Sequence, residues 1–522
     1  MHSADGLLTL GRWTTDRARI DGARTAIVDR GVRTTYRQLE DRASRLADGL
    51  RSAGYGRGHI VATLTGNSVD HIVLFFACAK AGLVLAPVSW RLTPSEIAEQ
   101  LALVGPALLV AEPAYAALAR AVLDRAALDR SEPGRLGRRI PLCELGEVGI
   151  EAAVPQRTGG SPAPQGPVRD DDALLLVLTS GTTGRSKAVV LTHANCHWTN
   201  ESLGRVLSFS AGDVVLAVMP QYHVGGWNVQ PLLTLRVGGT LVLERRFEAG
   251  RALRLIEEHA VTSMMGVPTS YHLMAQHPEF LHTDLSSLRV AVVGGGPAPV
   301  PLLRMWHDRG VALIQGYGLS EAGPNVTCLP LAEARSHAGS VGHPYPFVDV
   351  ALLTEDGRVE PGPGTGELLV RGPNVMPGYL NDPAATAAAF VDGWLRTGDL
   401  AQRDVDGRVT IVDRIKDLFI SGGEMVAPVE VESILLEHPD VAEAVVAGVP
   451  DERWGERAGA WVVLRADARV APAELAAHCE QRLARFKVPR EIVPVDRIPR
   501  SSSDKPLRRE LADRYVCAGN PR

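Results

Sequence analysis

The sequence predicts an α/β protein: layered α/β sheets in a large N-terminal region, a β-rich subdomain behind it, and a small α+β unit at the C-terminus. Three observations predict it. Helical and strand patterns alternate through the first 350 residues. After residue 350, short apolar runs are split by Asp-Gly and Pro-Gly turns. Beyond a charged cluster at residues 413–417, helix and strand patterns return on a smaller scale.

The segment "TTYRQLEDRASRLADGLRSAGYGRGHIVATL" sets the early pattern. Thr35 suits an N-cap, Tyr36, Leu39, Ala43, Leu46, Ala47 and Leu50 recur at helical spacing, and Gly54 supplies a stop. "HIVATL" then reads as a strand. The same alternation runs through "DHIVLFFACAKAG" and "LVLAPV", and through "ALRLIEEHA" and "VTSMMGV". The apolar run 72–88 is broken by Lys80 and Gly82, so it predicts a buried helix turning into a strand and not a membrane span. "PQRTGGSPAPQGPVRDDD" predicts an exposed loop. "VDVALLTEDGRVEPGPGTGELLVRGPNVMPGYL" and "GRVTIVDRIKDLFISGGEMV" predict antiparallel strands. "DRIKD", with four charges in five residues, marks the boundary between domains 1–415 and 416–522.

At 522 residues the chain exceeds one ordinary core. It is 45% apolar and 22% charged, the balance of a globular enzyme. A net charge of -5 argues against a nucleic-acid partner, whose footprint is basic. Six scattered cysteines without a C-x-x-C pair disfavour a disulfide framework or zinc site, and a reducing cytoplasm is expected. "MHSADGLLTLGRW" lacks the basic and apolar regions of a signal peptide, and none is expected.

Chemistry enters at "LTSGTTGRSKAVVLTH". An apolar strand pattern ends abruptly in glycines and hydroxyls around Lys187, exposing the N–H and O–H donors a phosphate needs. The P-loop pattern G-x-x-x-x-G-K-[ST] fails, because Arg185 and Ser186 separate Gly184 from Lys187.

The string resembles the signature loop of adenylate-forming enzymes, the superfamily of acyl-CoA synthetases, peptide-synthetase adenylation domains and firefly luciferase. Other segments resemble the same family in the same order. They are "VMPQYHVGGWN", "MMGVPTSYHLM", "VVGGGPAPVPLLRMW", "IQGYGLSEAG", "WLRTGDL", "DRIKDLFISGGEMVAP" and "IPRSSSDKPLRREL", and together they cover about Tyr36 to Leu511. The resemblance implies that Thr179, Ser180, Gly181, Thr182, Thr183, Gly184 and Lys187 grip the phosphates of ATP. It implies a nucleoside pocket at Gly294, Gly295, Gly296, Pro297, Gln315, Gly316, Tyr317 and Gly318, with Tyr317 stacked on adenine. Ser320, where the family usually has Thr, would touch the α-phosphate, and Glu321 would hold Mg²⁺. Asp399 would accept the ribose hydroxyls, as a carboxylate can take two hydrogen bonds at once. Arg414 would contact ribose or phosphate. Lys416 would be the hinge of a mobile C-terminal domain, and Gly422, Gly423 and Glu424 would line the path of the coenzyme A thiol. Lys505 would bridge carboxylate and α-phosphate. Here Asp504 replaces the family's glycine and Pro506 its aliphatic residue, and the extra carboxylate is expected to raise or tether the Lys505 ammonium.

At the acyl end, the resemblance sets His223 near the substrate carboxylate, beside Tyr222. Trp227, Asn228 and Val267 are expected as pocket walls, and the glycines at 225–226 and 294–296 are expected to leave room for a bulky or ring-bearing acid. Medium fatty, aryl and polycyclic acids all remain open.

The implied reaction joins two anions, so charge must be gathered: loop donors, Lys187, Mg²⁺ at Glu321, and Lys505. The carboxylate displaces pyrophosphate, and a thiol then displaces AMP. A free-standing acid–CoA ligase is the leading expectation. A carrier-protein thiol acting in trans, another nucleophile as acceptor, and a binding protein that kept the fold are the alternatives. A homodimer is common among similar enzymes, but the residues do not choose an assembly.

Overall fold

A computed structural model describes residues 6–128, 140–145, 157, 166–180, 186–451, 454–465, 468–500 and 505–517. Its architecture is α/β with four sheets, as the sequence predicts.

The helix Tyr36–Ser52 shows why the early pattern is legible. Thr35 Oγ1 accepts from Gln38 N at 3.2 Å, and Gln38 Oε1 accepts from Thr35 N at 2.8 Å, a reciprocal cap. The six apolar residues read from the sequence are the buried ones. The next helix, Val69–Ala81, is apolar almost all round, and Phe75 and Phe76 are fully buried in a core fed by both large sheets. It ends at Gly82 with φ +71°, and strand Val84–Pro87 follows, as expected for the run 72–88.

Two large sheets carry the N-terminal region. In the nine-stranded sheet, Thr25–Asp29, Thr240–Leu243, Val214–Ala217, Ser263–Gly266, Val290–Val293 and Leu313–Tyr317 run parallel. In the seven-stranded sheet, Leu142–Glu144, Leu108–Ala111, Ile60–Leu64, Val84–Pro87 and Ala173–Ser180 are parallel, and Ser186–Thr192 returns antiparallel. Parallel strands are covered by helices on both faces, which accounts for their continuous apolar runs.

After residue 350 the pattern turns antiparallel. Asp349–Leu353, Gly364–Arg371, Trp394–Arg403 and Val409–Arg414 form the body of a six-stranded sheet. A single turn, Ile415–Asp417, joins it to a five-stranded sheet that begins at Phe419 and has its own core, including Val431, Leu435, Val446, Val462 and Leu475. Of the predicted loop 155–172, residues 166–172 contain no helix or strand, and most of the rest lies outside the described residues.

Candidate active site

The phosphate loop begins on a hairpin. Thr179 pairs with Lys187, and Ser180 with Ser186, across Ala173–Ser180 and Ser186–Thr192. Gly181, Thr182, Thr183 and Gly184 lie outside the described residues, as does Asp504. Lys187 Nζ stands 4.8 Å from the centroid of the Tyr379 ring.

Two neighbouring parallel strands deliver the next residues from their C-terminal ends, where open α/β sheets bind ligands. Val290–Val293 leads through the glycine turn into helix Val300–Asp308. A Cβ on Gly294 would lie 2.8 Å from the Gly316 carbonyl oxygen, so the turn packs directly on the adjoining strand. Gly295 has φ +79°, where a side chain would be strained. Gln315 fixes the floor by accepting from Gly339 N at 3.1 Å. Glycine is required at 318, since a Cβ would collide with the Pro324 carbonyl.

Tyr317 ends its strand and donates its phenol to Asp399 Oδ2 at 2.5 Å. Asp399 is 6% exposed, and Arg414, its partner in strand register, brings Nε to 3.5 Å from Oδ1. Burial pushes the Asp399 carboxyl above the usual range, with Arg414 and Tyr317 opposing. Glu321 lies in the turn Ser320–Ala322, where Tyr379 donates to its Oε1 at 2.9 Å and Met376 N donates to its carbonyl at 2.8 Å.

Lys505 reaches this group from the C-terminal unit. Lys505 is an exposed residue, though neighbouring protein atoms crowd its ammonium. That desolvation, with the like charge of Arg414, lowers its pKa to about 8, while Asp399 and Glu321 pull the other way. Asp504, the carboxylate expected to raise or tether this ammonium, lies outside the described residues; among the described surroundings burial is the largest influence, and it lowers the pKa.

At the acyl end, His223 and Tyr222 rings meet at 4.6 Å, and Tyr222 is edge-on to Trp90 at 6.4 Å. Val267 precedes helix Pro268–Gln276 and faces Gly295, its Cγ1 3.5 Å from where a Cβ would stand. Two expected walls are corrected. Trp227 is 1% exposed, stacked on Phe75 at 4.7 Å, and donates Nε1 to the Gln221 carbonyl at 2.7 Å. Asn228 is fully buried and donates to the Gly323 carbonyl at 2.8 Å. Both brace the core behind the pocket. The glycines also leave less room than expected. Gly226 and Gly294 have their space filled by backbone, whereas a Cβ at Gly225, Gly295 or Gly296 would make only ordinary side-chain contacts, and of these three Gly295 and Gly296 are exposed.

Gly422 (φ +61°) and Gly423 (φ +90°) turn a tight hairpin between Phe419–Ser421 and Glu424–Val426. Among the described residues, no hydrogen bond, ion pair or ring contact joins this hairpin to Tyr317, Glu321 or Asp399.

The AMP-binding enzyme family matches residues 14–380, and its C-terminal domain matches residues 430–505. The chain belongs to the AMP-binding enzyme family. It is 39% identical over 506 residues to a feruloyl-CoA synthase of Amycolatopsis sp, covering 97% of this chain and 99% of that one. It is 36% identical to the fatty acid–[acyl-carrier-protein] ligase ScoC of Streptomyces coeruleorubidus, covering 98% and 97%. A solved o-succinylbenzoate coenzyme A synthetase (MenE) of Bacillus subtilis, in complex with ATP and magnesium ion, superposes with a TM-score of 0.82 at 30% identity, covering 96% and 99%.

The residues fit what AMP-binding enzymes take up. Gly295 and Gly296 offer a surface without side chains, and Asp399 offers a buried acceptor. Glu321 offers one carboxylate, a donor set that suits Mg²⁺ completed by substrate phosphates. Among the described residues, no cluster of three metal ligands exists and no helix is long and apolar enough to cross a membrane.

Sequence reasoning missed two residues that hold the candidate site residues in place. Glu367 is 6% exposed and accepts from Gly398 N at 2.9 Å and from Arg396 Nη2 at 2.7 Å, holding the turn that presents Asp399. Its signal was a lone charge inside the apolar strand "GELLV". Tyr379 carried no signal, because its partners come from two distant segments.

Proposed function

We propose that this chain activates a ring-bearing carboxylic acid as its acyl-adenylate and transfers the acyl group to coenzyme A, releasing AMP and pyrophosphate. The carrying observation is Lys505: its ammonium faces the field of Asp399 and Glu321, where an incoming carboxylate and the α-phosphate would meet.

In the first step the acid's oxygen attacks the α-phosphorus, and the bond to pyrophosphate breaks. Lys187 and Lys505 offset the approach of two anions, and Asp399 fixes the ribose. Glu321 would hold Mg²⁺, which when bound would supply further charge neutralisation on the phosphates. In the second step the thiol sulfur attacks the acyl carbon, and AMP leaves. That step needs the Lys505 segment withdrawn and the Gly422–Gly423–Glu424 hairpin brought in. A rotation of domain 416–522 on domain 1–415 about Lys416 accomplishes both. His223 and Tyr222 are read as the carboxylate end of the acid pocket, and Val267, with Gly295 and Gly296, as its wall.

The open side at Gly295 and Gly296, together with the feruloyl-CoA synthase relative, supports a ring-bearing acid. A cytoplasmic site of action is supported by five buried free cysteines. The carrier-protein ligase relative supports a second reading, in which a carrier thiol in trans takes the acyl group.

The test is pyrophosphate exchange with ATP, magnesium and a panel of acids, followed by addition of coenzyme A with thioester read by mass spectrometry. Exchange and thioester with aryl acids are expected. Exchange without thioester selects the carrier reading, saturation by short acids first removes the ring-bearing claim, and absence of exchange with every acid overturns the enzymology.

A further inference from the structure

We propose that Tyr379 is a positioning residue that holds Lys187 and Glu321 apart, keeping one charge for phosphate oxygens and the other for magnesium. The proposal rests on the ATP reading above.

The strand Gly378–Tyr379 adds to the edge of the seven-stranded sheet, antiparallel to Ser186–Thr192, with Tyr379 opposite Val189. Side chains alternate along a strand, so Lys187 and Val189 share one face. Lys187 is therefore the diagonal neighbour of Tyr379, a spacing that long and aromatic side chains bridge. The observed distance, Nζ to ring centroid, is 4.8 Å. The far end of the same ring donates its hydroxyl to Glu321 Oε1 at 2.9 Å.

The ring's position is fixed from several sides. Tyr379 N donates to Thr386 Oγ1 at 2.9 Å, Leu380 N to the Ala188 carbonyl at 2.8 Å, and Met376 N to the Glu321 carbonyl at 2.8 Å. One short segment thus stitches the Lys187 strand to the Glu321 turn.

Neither contact neutralises its charge. A cation over a ring face keeps its positive charge and its N–H donors. A carboxylate accepting from a phenol keeps its negative charge. Among the described residues, neither Lys187 nor Glu321 has an ion-pair partner. Without the ring between them, opposite charges would pair with each other and be spent before the substrate arrives.

Two substitutions separate the two contacts. Tyr379→Phe keeps the ring under Lys187 and drops the hydroxyl. Tyr379→Leu drops both. Magnesium-free ATP binding is measured by equilibrium dialysis, and Mn²⁺ binding to the enzyme–ATP complex by electron paramagnetic resonance. For Tyr379→Phe, ATP binding stays within about twofold while Mn²⁺ binding weakens roughly fivefold, the scale of one hydrogen bond to a charged group. For Tyr379→Leu, magnesium-free ATP binding weakens about tenfold, as Lys187 turns to Glu321. Adding Glu321→Gln to Tyr379→Leu restores that binding, because the competing carboxylate is gone. A general loosening of the fold would not be rescued this way.

Wild-type ATP binding by Tyr379→Leu, or no restoration by Glu321→Gln, overturns the separator. If Tyr379→Leu does not fold, Tyr379→Phe decides: unchanged Mn²⁺ binding overturns the proposal, and a selective Mn²⁺ loss supports it. ATP binding that neither Lys187→Ala nor Glu321→Gln alters, with or without magnesium, overturns the ATP reading and this proposal together.

Discussion

Tyr317 and Asp399 connect two sheets by one hydrogen bond: the phenol at the end of Leu313–Tyr317 donates at 2.5 Å to a carboxylate in Trp394–Arg403. Burial and the Asp399 charge push the Tyr317 phenol well above its ordinary range, so it remains a donor at any physiological pH. In return, the phenol and Arg414 favour the charged form of a carboxylate that burial disfavours.

Tyr317→Phe is therefore expected to act through Asp399. The carboxyl loses one of the groups favouring its charge, leaving Arg414 and Lys505, and the KM for ATP rises about tenfold, the scale of a hydrogen bond to a charged group. Pyrophosphate exchange with ATP varied reads this. The penalty shrinks with 2′,3′-dideoxy-ATP, which offers Asp399 no hydroxyls. An equal penalty with both nucleotides would mean that Asp399 does not grip the ribose.

Trp227→Leu is expected to change stability and leave acid preference alone. The indole is buried on Phe75 and its N–H is bonded, so truncation leaves a cavity and an orphaned carbonyl at Gln221. The expected loss is about 2–4 kcal/mol in urea unfolding. A changed order of preference among acids, at unchanged stability, would return Trp227 to the pocket.

These two residues also mark what the sequence made legible. Local chemistry was readable: the Thr35–Gln38 cap, the stop at Gly82, and the change from parallel to antiparallel texture after residue 350 all follow from neighbours in the chain. The motif positions of Tyr317, Glu321, Asp399, Arg414 and Lys505 were readable because each lies in a recognisable string. The direction in which a side chain points was not. Trp227 stands beside His223 in sequence yet turns into the core, since helix Gly225–Asn228 rotates it away. Gly226 and Gly316 carry the same missing side chain for different reasons, close backbone packing in one case and a strand floor in the other, and only coordinates in space separate them. Contacts between segments far apart in sequence, such as Tyr379 with Glu321 or Glu367 with Gly398, have no local pattern to betray them.

A buried pair in the C-terminal unit gives a pH prediction. Glu432 is 9% exposed, pairs with Arg508, and accepts from Val446 N at 2.8 Å. Burial raises its carboxyl from 4.5 to about 7, with Arg508 opposing. The folded state thus holds a proton that the unfolded chain releases. Its contribution is full below the unfolded value and declines as pH rises toward 7. Glu432→Gln is expected to flatten this part of the urea-midpoint profile between about pH 5 and pH 8. Arg508→Ala, which leaves a buried carboxylate unpaired, costs about 3 kcal/mol. A profile that Glu432→Gln leaves unaltered would assign the slope to other groups.

Lys505 separates the two half-reactions, and its titration gives a second handle on them. On the proposed reading, the ammonium acts where the acid and the α-phosphate meet, and the thiol step proceeds with that segment withdrawn. Lys505→Ala is expected to slow acyl-adenylate formation at least about a hundredfold, the usual loss for one preorganised charge. Thioester formation from supplied acyl-adenylate should fall by no more than a few-fold. Because burial and Arg414 lower the Lys505 pKa to about 8, the charged form prevails below that value and is lost above it. Adenylation therefore declines as pH rises through about 8. Lys505→Arg keeps its charge throughout this range, so its residual adenylation has no such alkaline decline. Both half-reactions are read in single-turnover mode, with acyl-adenylate and thioester quantified separately across pH. Equal loss of both in Lys505→Ala, or an alkaline decline that survives in Lys505→Arg, would remove Lys505 from the chemistry.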